Sequence, residues 1–292
     1  MPELPEVETT VRDLRKKVLG RTFIDAWSDF PKMIKRPKSF EQFKKEIKDK
    51  KIEKIWRRGK NIIFDLSGKL SLLIHQKLTG HLLLGKWIKK AEKWQSKLPG
   101  PLLEDPMNRF LHLIFWLDNG QMLALSDLRK FAKVELWNSD ELKESEEIKS
   151  LGPEPLEKEF TFQKFKEILP KKGKIKQVLM DQNIIAGIGN IYSDEILWQA
   201  KVHPLREIKE LSEEEIKRIY EAMRRILPKA IELGGESISD FRRISGEKGG
   251  FDVLRKVYRR EREKCSRCGT IIKRLKISSR STHFCPHCQP LR

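Results

Sequence analysis

The sequence predicts an α+β protein: a β-rich N-terminal domain led by one helix, then a helical domain ending in a small cysteine module. Three observations carry this. Short apolar runs of strand length crowd residues 1–137, the apolar spacing turns helical from Thr161, and all four cysteines fall between 265 and 288.

The first helix begins almost at once. Pro5 suits a first turn, and Glu3, Glu6 and Glu8 favour the positive N-terminal end. Val7, Val11, Leu14 and Val18 form one apolar stripe, and Gly20 is a stop. Strands are predicted at 52–57, 61–66, 70–76, 110–117, 121–126 and 133–137. Asp118-Asn119-Gly120 makes a hairpin turn between two of them. A Lys- and Pro-rich insert near 86–106 reads as an exposed loop.

Residues 138–160, with Gly152-Pro153-Glu154-Pro155, read as a linker. The helical domain is placed at 161–263. Within it Ser212 and Glu215 form a capping box ahead of Ile216, Ile219, Tyr220, Met223 and Ile226. Pro228 should kink that helix before Gly234-Gly235 ends it. Residues 236–263 lack periodicity and read as a mobile loop, and 264–292 as the cysteine module.

The chain has 292 residues, with 61 Lys plus Arg against 42 Asp plus Glu, a net charge of +19. Such an excess points to a polyanionic partner, nucleic acid foremost, with a Lys-rich solvated surface as the plain alternative. No run of about 20 apolar residues exists, so no membrane span is expected. The acidic start MPELPEVETT is no signal peptide, and clustered cysteines suit a reducing compartment, so a cytoplasmic protein is expected.

Four motifs could carry chemistry. Cys265-x2-Cys268 and Cys285-x2-Cys288, separated by 16 residues, can close a tetrahedral four-thiolate zinc site on a β-hairpin. Four thiolates leave no open position, so that zinc is structural. His283 and His287 are nearby alternatives as ligands. Lys273, Arg274, Lys276 and Arg280 make the hairpin basic.

The run from Lys176 to Asn190 reads as helix, glycine turn, helix. Gly187 and Gly189 could bring backbone N–H groups to a phosphate, or simply make a packing corner. PELPEVE could be only a well-started helix. If Met1 is removed, however, Pro2 offers a secondary amine of fairly low pKa that can attack a sugar C1′, with Glu3 as general acid or base. In Arg57-Arg58-Gly59-Lys60, the lysine is a phosphate contact, a proton carrier or solvated surface.

Taken together and in order, these segments resemble the bacterial formamidopyrimidine-DNA glycosylases and, more broadly, their endonuclease VIII relatives. The resemblance spans nearly the whole chain: PELPEVET at 2–9, RRGK at 57–60, Asp127-Leu-Arg-Lys-Phe131, LGPEPL at 151–156, the Gly187–Asn190 turn running on to His203-Pro204, and the four-cysteine finger with Arg280-Ser-Thr-His-Phe-Cys285. PELPE, where endonuclease VIII typically has PEGPE, points to the oxidised-purine branch. The resemblance implies an N-terminal β-sandwich with a leading catalytic helix, a helix-two-turn-helix domain and one structural zinc.

It also implies roles. Pro2 would be the Schiff-base nucleophile, Glu3 the proton donor to the base, and Glu6 a support of that pocket. Lys60 would carry protons at the sugar, and Arg280 would serve δ-elimination. Lys171, Lys176, Asn190 and Arg259 or Arg260 would hold the DNA backbone. The segment 246–258, ending in Val257-Tyr258, would match the loop covering the extruded base. His75, Leu78, Arg129 and Phe131 would contact DNA, the last three as the wedge that fills the gap left by a flipped base.

Three positions depart from the family pattern. Leu78 replaces a Met of the wedge. Arg109-Phe110-Leu111-His112 replaces a Lys-His-x-His stretch, leaving Arg109 for that contact. Val257-Tyr258-Arg259-Arg260 loses a glycine. The expected protein is a monomer acting on damaged double-stranded DNA: a bifunctional glycosylase and abasic-site lyase for oxidised purines in base-excision repair. The alternatives are a zinc-finger damage binder without chemistry, and an enzyme of the same mechanism preferring oxidised pyrimidines.

Overall fold

The predicted stripe of Val7, Val11, Leu14 and Val18 is fully buried on helix α1 (Leu4–Val18). Each such burial contributes about 1.5–3 kcal/mol. The protein is described by a computed structural model over residues 1–91, 93–237 and 240–291. Its contacts divide into two units: 1–149 with 233–250, and 150–232 with 251–291.

In the first unit α1 leads into β1 (Thr22–Ser28), β2 (Ile34–Arg36), α2 (Phe40–Ile47), β3 (Lys50–Arg58), β4 (Asn61–Leu66), β5 (Leu70–His75) and β6 (His81–Gly85). Next come β7 (Trp87–Lys90), β8 (Lys93–Ser96), α3 (Pro101–Glu104), a 3-10 turn over 106–110, β9 (Leu111–Leu117), β10 (Met122–Ser126) and β11 (Lys133–Asn138). Nine strands form one sheet in the order β2-β11-β5-β4-β3-β1-β9-β10-β6. Neighbours are antiparallel except β11 with β2. One core draws on both ends of the sheet, from Leu136 of β11 to Leu82 of β6, and within it Phe64 of β4 and Phe115 of β9 both meet Phe23 of β1, at 6.4 and 5.0 Å between ring centroids. The α1 stripe joins that same core.

All six predicted strands form. The insert at 86–106 is not a bare loop: β7 pairs with β8, and the Asn108 side chain ties the Trp87 indole and the Leu102 carbonyl together at 2.8 and 2.6 Å. Nor is 138–160 a free linker. It holds α4 (Ser139–Glu144) and α5 (Glu146–Lys149), and its second half docks on the second unit. There the Gly152 N–H donates to the Gln182 carbonyl at 2.8 Å. A Cβ at Gly152 would collide with the Ile184 backbone, which explains a glycine in that stretch.

The second unit holds α6 (Phe162–Ile168), α7 (Ile175–Met180), α8 (Asn190–Ala200), α9 (Glu213–Glu232), β12 (Lys273–Ile277) and β13 (Arg280–Phe284). The Ser212/Glu215 capping box forms at 2.9 and 3.2 Å. Helix α9 continues through Pro228 to Glu232, and Gly234 and Gly235 follow with φ of 79° and 81°. The 236–263 stretch divides. Residues up to Gly250 pack with the first unit and the rest with the second. No helix among the described residues is long and apolar enough to cross a membrane.

Candidate active site and nucleic-acid interface

The N-terminus of α1 is built around two buried carboxylates. Glu3 is the N-cap, and Glu3 and Glu6 form a reciprocal capping box. The Glu6 carboxylate accepts the Glu3 N–H at 2.8 Å and the Glu236 N–H at 2.7 Å. Glu6 therefore holds backbone in place, a positioning role. Lys60 is buried too, one residue past the left-handed Gly59 in the β3–β4 turn. Arg57 supports that turn by donating to the Gly59 carbonyl at 3.0 Å and to Glu8 at 3.1 Å. Burial pushes the N-terminal amine of Met1 below its ordinary value. Lys60 adds to the lowering, while Glu3, Glu6 and Asp240 oppose it. An amine, a carboxylate acid and a lysine thus lie within electrostatic reach of each other.

Two loops present the expected wedge residues beside this terminus. Asp127, fully buried, accepts the Thr79 hydroxyl, the Ala132 N–H at 2.7 Å and the Arg129 N–H at 3.3 Å. One carboxylate so fixes both 76–80 and 127–132. Each loop places a lysine at left-handed φ just before an apolar residue: Lys77 (54°) before Leu78, Lys130 (57°) before Phe131. Phe131 is exposed, with the Arg129 guanidinium 4.7 Å from its ring centre. Met1, Leu78 and Phe131 line a common cavity of about 550 Å³ with Lys32, Lys35, Lys77 and Lys130.

His75 sits at the end of β5, and its Nδ1 accepts the Lys77 N–H at 2.9 Å. Burial first, then the charges of Lys77, Lys60 and Lys133, depress it to about 3. It is a neutral imidazole whose proton lies on Nε2, able to donate to a phosphate but carrying no charge. Arg109 is exposed on the 3-10 turn.

In the second unit a cavity of about 1250 Å³ is lined by Asn190, Tyr258, Arg259, Lys273, Arg274 and Arg280 among others. Two adjacent buried carboxylates of α8 shape it. Asp194 pairs with Lys176 and accepts the His283 N–H at 2.8 Å. Glu195 accepts three successive backbone N–H groups, of Lys256, Val257 and Tyr258, at 2.8, 3.0 and 2.8 Å. Asn190 donates to the Ser281 carbonyl at 3.0 Å, joining the α8 N-terminus to β13.

Three expectations are corrected here. Lys176 is fully buried in its ion pair with Asp194, so it braces α8 and its ammonium is not presented at the surface. Of the two arginines, Arg260 is committed to Glu263 and the Arg255 carbonyl, each at 2.8 Å, while exposed Arg259 lines the cavity. The Gly187 N–H is taken by the Gln182 side chain at 2.8 Å and is not offered to a ligand. Arg259 itself has φ 53°, so the glycine-type backbone persists without the glycine, at a cost of about 1 kcal/mol. Lys171 is exposed on the loop before α7.

The four cysteines close a metal site. Their sulfurs all lie within 4.8 Å of one another, with separations of 3.4 Å for Cys268–Cys285 and 4.0 Å for Cys265–Cys288. A tetrahedron with metal–sulfur bonds of ~2.3 Å has edges of about 3.8 Å, so the set fits one structural zinc. His283 is taken by Asp194 at 3.1 Å and Glu261 at 3.3 Å and stands outside that group. The hairpin β12–β13 spans the two knuckles as expected.

Sequence reasoning gave no role to Asp127, Asp194, Glu195 or the cavity lysines. The two acids of α8 did carry a signal, since they sit among Ile191, Tyr192, Ile196 and Leu197 on a helix buried nearly all round. Cavity lysines drawn from three separate segments carried none.

A two-unit protein with an acid-capped amino terminus, wedge loops and a four-cysteine finger is thus defined. Three family descriptions match it: Formamidopyrimidine-DNA glycosylase N-terminal domain over 1–134, Formamidopyrimidine-DNA glycosylase H2TH domain over 151–242, and Zinc finger found in FPG and IleRS over 262–291. The formamidopyrimidine-DNA glycosylases of Bacillus cereus and Streptococcus pneumoniae are each 38% identical over 291 residues, covering 99% of both chains. The Lactococcus lactis Fpg solved with an abasic site containing DNA is 38% identical at a TM-score of 0.85, covering 99% of this chain and 100% of that one. MutM in complex with carbocyclic 8-oxo-G containing DNA matches equally, at 38% and 0.85, over 99% and 100% of the two chains. The chain belongs to the formamidopyrimidine-DNA glycosylase family.

Proposed function

We propose that this protein is a bifunctional DNA glycosylase and abasic-site lyase that excises oxidised purines from duplex DNA. The observation that carries the reading is the placement of the amino terminus, next to the buried Glu3 and on a cavity rimmed by Leu78, Phe131 and four lysines, with Lys60 buried in the same unit. After removal of Met1, the Pro2 nitrogen would be that amine.

Its lone pair forms the bond to C1′ as the C1′–N9 bond breaks, and the base leaves with a proton from Glu3. The proton lost by the proline nitrogen passes through Lys60 to O4′ as the sugar ring opens, leaving an iminium at C1′. Loss of a C2′ proton then expels the 3′ phosphate. A second elimination, assisted by Arg280, expels the 5′ phosphate. The lysine-rich rim and the cavity holding Asn190, Arg259 and Arg280 would position phosphates, while Leu78, Arg129 and Phe131 occupy the space of the flipped base. The zinc holds the hairpin that carries Arg280 and takes no part in the chemistry. We assign the protein to the compartment that holds the chromosome, acting as a monomer.

Incubation with duplexes carrying 8-oxoguanine or a formamidopyrimidine tests this. Release of the free base together with both phosphate-terminated strand ends is expected. Base release without strand cleavage would remove the lyase, and binding without either would leave a damage binder.

A further inference from the structure

The segment 86–110 and the strap 240–250 belong to the same unit and hold each other. Strand β6 is an edge of the sheet, and its Leu84 N–H donates to the Ile244 carbonyl at 2.7 Å. Ile244 itself is buried in the main core. The Asp105 carboxylate caps the following turn through Oδ1, which accepts the Met107 N–H at 2.9 Å. Its other oxygen faces the Arg242 guanidinium at 3.6 Å, and both side chains are little exposed, 3% and 12%. Gly246 has φ 85°, and a Cβ there would lie 2.8 Å from Leu102 Cδ2. Leu102 is in turn fixed by the Asn108 amide and packed with Trp87 and Ile114. On its other side the strap is tied to α1, where Arg243 donates to both oxygens of Asp13 at 2.9 and 2.7 Å.

The strap overlaps the stretch that the family resemblance assigns to the cover over the extruded base. We infer that 86–110 is a brace for this cover, with Leu102 and Asp105 as positioning residues that keep it folded before any lesion enters. The inference rests on the proposed function for what the strap covers. A segment outside regular helix or strand, closed by a short turn from Arg243 to Glu247, takes the rest of its order from packing on a neighbour. An unbraced strap would have to be ordered by the base itself, and that ordering would be charged against lesion binding.

The test compares wild type with Asp105→Asn, which keeps the cap on Met107 and removes the charge facing Arg242, and with the double variant Asp105→Asn, Leu102→Ala. Amide hydrogen exchange over 241–249 is read first. Single-turnover excision of 8-oxoguanine and cleavage of a preformed abasic site are read on the same preparations. Exchange should quicken by about tenfold in the double variant and by less in the single one. Excision should slow by a similar factor, with abasic-site cleavage changed by less than about twofold, because an abasic site presents no base to cover. Unchanged exchange would overturn the brace, and equal slowing of both reactions would overturn its role at the base. Should the double variant fail to fold, the single variant decides by the same two criteria. If wild type releases no oxidised purine, the proposed function fails, while the exchange comparison still decides whether 86–110 braces the strap.

Discussion

The carboxylate of Glu6 accepts the backbone N–H of Glu236, 230 residues away in sequence, at 2.7 Å, with its other oxygen on the Glu3 N–H at 2.8 Å. One buried side chain thereby fixes both the start of α1 and the stretch that follows α9. In Glu6→Gln one of those N–H groups would face an amide NH2. Charge-assisted bonds of this kind contribute about 1.5–3 kcal/mol, so urea unfolding should show a loss near that size. Excision and abasic-site cleavage should fall together, since both use the same amine. A loss below about 0.5 kcal/mol would show that Glu6 is not the anchor described.

Lys171 is exposed and Lys176 buried, so the proposed phosphate contact and internal support can be separated. Lys171→Ala should weaken DNA binding and reduce the slope of log affinity against log salt by about 0.9. Lys176→Met should leave that slope unchanged and lower stability, because it strands the buried Asp194 carboxylate. Salt titrations of both variants, with melting curves, check this. A reduced slope for Lys176→Met would restore the expectation made from sequence.

Two histidines make the first unit sensitive to acid. His75 is depressed to about 3 and His81 to about 4, burial being the main cause in each. The unfolded chain takes up these protons near pH 6.5 and the folded one does not. Stability is therefore complete above pH 6.5 and declines as pH falls toward 4 for His81 and 3 for His75. The slope is up to ~1.4 kcal/mol per pH unit for each. His75→Gln should flatten the decline measured by urea midpoints between pH 6.5 and 4.5. A profile that keeps its full slope would contradict this.

Asp127 fixes both loops of the proposed wedge. Asp127→Asn keeps one acceptor oxygen for three donors and should cost about 1–3 kcal/mol. Excision from a matched duplex should slow more than excision from a lesion in an unpaired bubble, where no stack needs wedging. Equal slowing on the two substrates would mean that the loops are not held for wedging.

Local pattern carried the sequence reading a long way. The α1 stripe, six strands, the Ser212 capping box and the cysteine knuckles each rest on neighbours within one turn or one hairpin. Strand β1 was missed because Thr22–Ser28 alternates poorly, and β6 because its five residues are all buried. Neither Lys176 nor Glu6 announces its partner, since a basic residue near a glycine turn and an acid in a first turn have common surface roles. Only folding shows that one is buried against Asp194 and the other joined to Glu236. The amino-terminal site was legible only jointly: PELPEVE alone reads as a helix start, and its chemistry rests on Lys60, the wedge pair and the finger occurring in one chain.

The proposed chemistry turns on the amine. Protein whose intact mass shows loss of Met1 should be mixed with an 8-oxoguanine duplex and borohydride, and the trapped adduct digested and sequenced by mass spectrometry. We expect the DNA remnant on the Pro2 nitrogen, and no adduct from Pro2→Gly under the same conditions. An adduct carried by a lysine, or none at all from processed wild type, would contradict the central claim.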